Sequence, residues 1–198
     1  MTEILTTKET VSLLRKSLKV TFPGVKFSVR TDRGGITSQV RVAWEDGPTT
    51  DEVEAVTDGY AGDGFDGMID MAYSRDSWLA PDGRAYFAGT EGTQGSMGVI
   101  PPSESPAPVE GCRRVRFCLG SVSCVRTYSR AAIDAVVAAL TEQGAPEGIY
   151  TVRGSENWGY NIDTNARGFD SWLYWRDAAY KAMDAYKAEE EKAEQAAA

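Results

Sequence analysis

Four aspartates in one short segment are the residues best suited to metal chemistry. Asp58, Asp63, Asp66 and Asp70 lie in the sequence DGYAGDGFDGMID, and carboxylates at close range can hold calcium or magnesium. An EF-hand loop needs acids, a glycine and a final glutamate in a fixed order, which this segment lacks. A glycine-rich turn with solvated acids is the favoured interpretation, so we predict no metal site and no cofactor.

The residue types needed for common catalysis are scarce. The chain has no histidine, which excludes the commonest general base and the histidine-activated nucleophiles. Cys112, Cys118 and Cys124 are evenly spaced without a CxxC pair, a pattern typical of free thiols rather than of a disulfide framework or a zinc site. No GxxxxGK[ST] motif occurs to cradle a nucleotide. We therefore assign no catalytic residue, and the sequence favours a protein that is not an enzyme.

Charge is sorted into blocks along the chain, which carries a formal net charge of -8. Residues 45–82 hold eleven acids and a single base, Arg75. Residues 1–42 hold eight Lys or Arg against three acids, and residues 111–130 hold five Arg and no acid. Blocks of this kind can present a polar surface to a charged partner.

The acidic block has two interpretations. Carboxylates along a helix and its adjoining loop can imitate a row of phosphates and occupy the DNA-binding groove of another protein. The alternative is an ordinary solvated face, which most acidic stretches are. The candidate binding residues of this acidic face are Asp51, Glu54, Asp58, Asp63 and Asp66.

A basic surface is the alternative candidate site. Arg113, Arg114 and Arg116 lie on a predicted hairpin over residues 113–127, beside Phe117 and Tyr128. Basic strands with aromatic neighbours can bind single-stranded nucleic acid through charge and stacking. The competing interpretation, which we favour, is internal pairing with the acidic block. A second basic surface is the outer face of the first helix, with Lys8, Arg15, Lys16 and Lys19.

Hydrophobic periodicity predicts an α+β fold of antiparallel hairpins packed against about four helices. Thr6 and Glu9 form a capping-box signature before an apolar helical stripe, and Pro23-Gly24 ends that helix. Strict alternation over residues 25–42, around a glycine turn, predicts a β-hairpin with a basic outer face. The remaining predicted elements are a helix after Thr49, a strand at 68–73, the hairpin at 113–127, a helix capped by Ser129, a hairpin at 149–162 and a helix from about Phe169.

These elements predict one domain over residues 1–188. Residues 89–111 are rich in Gly, Pro and Ser without periodicity, which predicts a mobile loop. The charged, Ala-rich segment 189–198 predicts a disordered tail. The N-terminus lacks the features of a signal peptide, and no apolar run approaches a membrane span. We therefore expect a cytoplasmic protein with no membrane partner.

Several stretches of the chain resemble one known family. The sequences TKETVSLLRKSLKVTFPGVKFSVRT, VRVAWEDGPTTDEVEAV, GFDGMIDM and VRTYSRAAIDAVV together are similar to the large polyvalent protein-associated domain 29. The FPGVKFSVR and W-x-DGPT elements are the specific parts, and the resemblance runs from about Thr7 to about Tyr180. It implies an α+β fold and a phage, plasmid or conjugative-element setting, and it carries over no catalytic residue. Since little of the chain lies outside the resemblance, we expect a small free-standing protein rather than part of a long effector.

Three functions are consistent with the sequence. The first is a phage or mobile-element accessory protein that binds a host or defence-system protein. The second is a nucleic-acid-binding module that uses the basic helix and the arginine-rich hairpin, which the sequence pI of about 4.7 disfavours. The third is a metal-dependent hydrolase or nuclease built on the aspartate cluster, which the missing histidine and the aspartate spacing disfavour.

Overall fold

The fold is α+β, as the sequence predicts. The computed structural model describes residues 2–32, 38–67, 70–88, 105–165 and 171–187. Within them lie four α-helices: α1 (Thr7–Thr21), α2 (Thr50–Thr57), α3 (Arg130–Glu142) and α4 (Trp172–Ala185). A short 3-10 helix, Asp58–Tyr60, continues directly from α2.

Eleven strands among the described residues form four small sheets. The four-stranded sheet has the order β1-β8-β6-β7, with β1 and β8 parallel, and the three-stranded sheet has the order β2-β3-β9. Strands β4-β5 and β10-β11 form the two antiparallel pairs. The bounds are β1 Glu3–Leu5, β2 Ser28–Asp32, β3 Gln39–Glu45, β4 Asp63–Asp66, β5 Met71–Ser74, β6 Ser77–Leu79, β7 Ala85–Phe87, β8 Arg113–Phe117, β9 Ser121–Thr127, β10 Tyr150–Ser155 and β11 Gly159–Thr164.

The predicted capping box begins α1. The Thr6 hydroxyl accepts from the Glu9 N–H, and the Glu9 carboxylate accepts from the Thr6 N–H at 2.9 Å. These two bonds satisfy backbone donors that the first helical turn leaves without partners. The helix ends before Pro23, with Gly24 at φ 89° in the left-handed region that favours glycine.

The predicted first hairpin is confirmed in the antiparallel pairing of β2 and β3, but β2 begins at Ser28 rather than at residue 25. In its register Val29 lies opposite Val42, and Thr31 lies opposite Val40. All three valines are buried, whereas the alternate positions Arg30 and Arg41 are exposed. The period-2 pattern therefore gave the inner and outer faces of this hairpin correctly.

The predicted hairpin of residues 113–127 is wrong, because β8 and β9 belong to different sheets. The link between them uses its backbone groups elsewhere. The Cys118 N–H donates to Leu5 O at 2.8 Å, and the Gly120 N–H donates to Ser38 O at 2.8 Å. Strand β8 instead lies between β1 and β6, so it pairs with strands that are far from it in sequence rather than with β9.

The chain divides into two compact units, Met1–Ala43 with Asp51–Val125 and Trp44–Thr50 with Arg126–Ala198. The first contains the four-stranded sheet, α1 and α2. The second has its own core, built from α3, α4 and the β10-β11 hairpin, in which Ile133 and Ile149 are fully buried. That residues 1–188 form a single domain stays a prediction. Residues 89–104 of the predicted mobile loop and the predicted tail 189–198 lie outside the described residues.

Candidate functional site

Three of the five predicted acidic residues line one groove. Asp51 and Glu54 lie on α2 and Asp58 begins the 3-10 helix, so their spacing of three and four residues places them on one face. The opposite face carries Val53, which is fully buried. The groove has a volume of about 540 Å³, and its lining is completed by Ala55, Thr57 and Val122. We call it the acidic groove.

The three acids differ in how their charge is balanced. Asp58 forms an ion pair with Arg75 at 3.1 Å, and the Arg75 guanidinium also lies over the Phe87 ring at 4.6 Å. Asp51 and Glu54 are both exposed, and neither takes part in an ion pair with another described residue. Asp51 and Glu54 therefore supply most of the uncompensated negative charge of the acidic groove.

The other two predicted acidic residues lie on the β4-β5 hairpin. Asp63 begins β4, and its N–H donates to Gly120 O at 3.2 Å. Asp66 ends β4, and its side chain lies outside the described part of the structure. Asp63 is not among the described residues that line the acidic groove.

A thiol lies beside Thr57, one of the residues that line the acidic groove. The Cys124 sulfur lies 3.4 Å from the Thr57 hydroxyl oxygen. Burial raises the pKa of the Cys124 thiol, and the nearby Glu54 carboxylate raises it further. A thiol with a raised pKa is a poor nucleophile at neutral pH, so this arrangement supports binding rather than covalent chemistry.

The predicted basic site is occupied by internal ion pairs. Arg114 Nε lies 2.9 Å from one carboxylate oxygen of Asp76, and an Arg116 terminal nitrogen lies 2.7 Å from the other. Asp76 is buried, at 6% exposure. The third arginine, Arg113, forms an ion pair with Glu3. Arg114 and Arg116 therefore pair with a residue of the acidic block, which is the interpretation favoured from the sequence.

A network that the sequence did not reveal centres on Arg126. Its guanidinium donates to Asp46 O at 3.0 Å and Gly47 O at 2.8 Å. It also donates to three carbonyl oxygens at the end of α4, those of Met183, Asp184 and Tyr186. One arginine therefore joins the turn after β3 to the C-terminus of α4, where the helix dipole favours a cation.

The W-x-DGPT element forms the other side of this network. The Trp44 indole N–H donates to Pro48 O at 2.9 Å, which closes the turn. Asp46 and Gly47 both have positive φ, at 52° and 61°. The Asp46 carboxylate accepts from the Ser129 N–H at 2.9 Å. The element is therefore structural, since its side chains and carbonyls hold residues 126–129 in place.

Two further observations bear on function. The described residues contain no group of three or more Cys, Asp or Glu side chains placed to hold a metal ion. Among the same residues, no helix combines the length and the apolar character needed to cross a membrane.

Comparison with known proteins gives one finding. The model of the family described as large polyvalent protein associated domain 29 matches residues 5–129, which is more than half of the 198-residue chain. The match includes the FPGVKFSVR and W-x-DGPT elements, the specific parts of the resemblance. It ends at Ser129, before the expected end near Tyr180. No curated protein and no solved structure matches the chain. The chain belongs to the large polyvalent protein associated domain 29 family, and is thereby a phage- or mobile-element-associated protein.

Proposed function

We propose that this protein binds a basic surface of a host or defence-system protein through the acidic groove, inside the host cell. The observation that carries the proposal is that Asp51, Glu54 and Asp58 converge on one groove. The first two carry no ion pair among the described residues. Their arrangement along a helix imitates a short row of phosphates.

The composition of the groove supports a protein partner. Ala55 and Val122 add apolar surface to its lining. Apolar surface in the centre of an interface is removed from water on binding, and the surrounding charges select the partner and raise the association rate. Exposed charges act over about 10 Å at 0.1 M salt, so binding should weaken as salt rises.

Nucleic-acid binding through Arg113, Arg114 and Arg116 is the alternative function, and it is less well supported than protein binding because these arginines are already ion-paired. A phosphate would have to compete with the buried Asp76 carboxylate for two of the three guanidinium groups. The strand that carries them is also not part of the predicted basic hairpin. The other half of that alternative, the basic face of α1, is a separate surface.

The test uses three forms of this protein as baits and compares the proteins that each captures from host lysate. The baits are the wild type, Asp51→Lys/Glu54→Lys in the acidic groove, and Glu142→Lys/Glu147→Lys, which makes the same charge change at exposed positions in the second unit. Asp58 is left intact because its ion pair with Arg75 contributes to structure. We expect a basic protein to be retained by the wild type and the control variant and lost by the groove variant. Equal retention by all three baits would reject the groove as the binding site.

A further inference from the structure

Two clefts, of about 350 Å³ and 450 Å³, lie beside α1 and β2, and Arg15 belongs to the lining of both. We call the two clefts together the α1–β2 groove. Its first cleft is lined by Arg15, Leu18, Lys19, Phe22, Gly24, Val25, Phe27 and Val29, and its second by Thr6, Thr7, Lys8, Val11, Arg15, Thr31 and Ser38.

The charge of this groove is opposite to that of the protein. Among the described residues, its lining includes Lys8, Arg15 and Lys19 but no Asp or Glu. The three cations follow one edge of α1 over eleven residues, or about 16 Å at the rise of an α-helix. All three are exposed, and the ion pairs of the described residues include none of them.

Arg15, which lines both clefts, is held in place by a hydrogen bond. One terminal nitrogen of its guanidinium donates to Val29 O at 2.7 Å. A guanidinium carries five N–H donors, so this bond fixes its position while leaving most of its donors to be satisfied by a ligand or water. The nearest acid in the sequence, Glu9, is turned toward the start of α1 by its bonds with Thr6.

Aromatic rings line one end of the groove. The Phe22 and Phe27 rings are 5.8 Å apart and tilted by 48°, and both residues are half-buried. A positively charged groove that ends in aromatic rings is the arrangement that binds single strands, since phosphates follow the cations and a base stacks on a ring.

We propose that the α1–β2 groove binds single-stranded nucleic acid. The phosphates of the bound strand would contact Lys8, Arg15 and Lys19, and one of its bases would stack on Phe22 or Phe27. An acidic peptide that added a strand to the edge of β2 fits less well, because Arg15 already occupies the Val29 carbonyl there. The net charge of -8 does not prevent local binding, since charges farther away than about 8 Å are largely screened at physiological salt.

The first test measures salt dependence. Fluorescence anisotropy would follow a labelled single strand of about 15 nucleotides binding to the wild type and to Lys8→Ala/Lys19→Ala. Arg15 is kept because of its structural bond. Losing two phosphate contacts should make the negative slope of log K against log salt shallower by about 1.4. The control Arg153→Ala/Lys181→Ala removes two exposed cations of the second unit and should keep the wild-type slope. Equal slopes for the two double variants would overturn the proposal.

The second test examines stacking. Phe27→Leu keeps apolar volume but removes the ring, so it should weaken binding about fivefold or more at every salt concentration with an unchanged slope. Its thermal unfolding, compared with that of the wild type, shows that the fold is retained. Undiminished binding of the single strand by Phe27→Leu would contradict the assignment. So would a wild-type protein that binds duplex DNA as tightly as the single strand, or that binds a polyglutamate peptide more tightly than the single strand.

Discussion

The Asp46 carboxylate accepts a hydrogen bond from the Ser129 backbone N–H at 2.9 Å, across 83 residues of sequence. Ser129 is also the N-cap of α3, where its side chain accepts from the Ala132 N–H. Asp46 therefore fixes the residue that starts a helix. Its own backbone lies at φ 52°, a conformation that Asp and Asn tolerate better than most residues do.

This relationship predicts different effects for two substitutions. Asp46→Ala removes the acceptor and places an alanine in the left-handed region, so the free energy of unfolding should fall by about 2–3 kcal/mol. Asp46→Asn keeps a side-chain oxygen and the tolerance for positive φ, and should cost less than about 1 kcal/mol. Urea unfolding measures both variants. An asparagine variant as unstable as the alanine variant would show that the hydrogen bond is not the important feature.

Arg126 should be irreplaceable by lysine. Its planar guanidinium reaches five carbonyl oxygens and also lies over the Tyr128 ring at 5.0 Å. An ammonium group offers three donors from one point, so it cannot span these acceptors. We expect Arg126→Lys to lower the free energy of unfolding by about 3 kcal/mol.

A neighbouring arginine is the control for that prediction. Arg130 pairs with Asp134 one helical turn away, and both side chains are more than half exposed. Arg130→Lys should therefore change stability by about 0.5 kcal/mol or less in the same urea experiment. Similar losses for the Arg126 and Arg130 variants would reject the central role of Arg126.

Asp76 should be important for stability rather than for binding. It is buried and receives two arginines, which are themselves partly exposed. Asp76→Asn keeps the shape but removes the charge, and should destabilise the protein by about 2–3 kcal/mol, the range of a hydrogen bond to a charged group. If Asp76→Asn unfolds at the wild-type urea concentration, the basic site is open to other anions and nucleic-acid binding there regains support.

The capping box of α1 predicts a pH effect. Hydrogen bonds from the Thr6 side chain and backbone hold the pKa of Glu9 below its ordinary value of 4.5. A carboxyl with a lowered folded pKa stabilises the protein above its unfolded pKa, and this contribution is lost as pH falls through the folded pKa. The difference in Tm between the wild type and Glu9→Gln should therefore be largest near neutral pH and shrink below pH 4.5. A difference that stays constant down to about pH 3 would contradict this assignment.

Long, periodic elements were predictable from the sequence. The stripe of Val11, Leu14 and Leu18 with its capping box gave α1, and the alternation around Val29 and Val40 gave the first hairpin. In both cases local propensity and burial favour the same structure, so the pattern alone is enough.

Short and non-local elements were not predictable. Strands β1, β6 and β7 have three residues each, too few for a period to be recognised, and β1 pairs in parallel with a strand more than a hundred residues later. The acidic face illustrates the same limit. Helical spacing placed Asp51, Glu54 and Asp58 together, but the Arg75 partner of Asp58 and the Val122 lining come from distant segments.

The central claim, that the acidic groove binds a basic protein surface, is tested most directly by the Kd of the captured partner at several salt concentrations. The wild type would be compared with Asp51→Lys/Glu54→Lys and with the control Glu142→Lys/Glu147→Lys. We predict that the groove variant binds about tenfold or more weakly at 0.1 M salt, that the gap narrows as salt rises, and that the control matches the wild type. Equal Kd values for the groove variant and the control at every salt concentration would contradict the account.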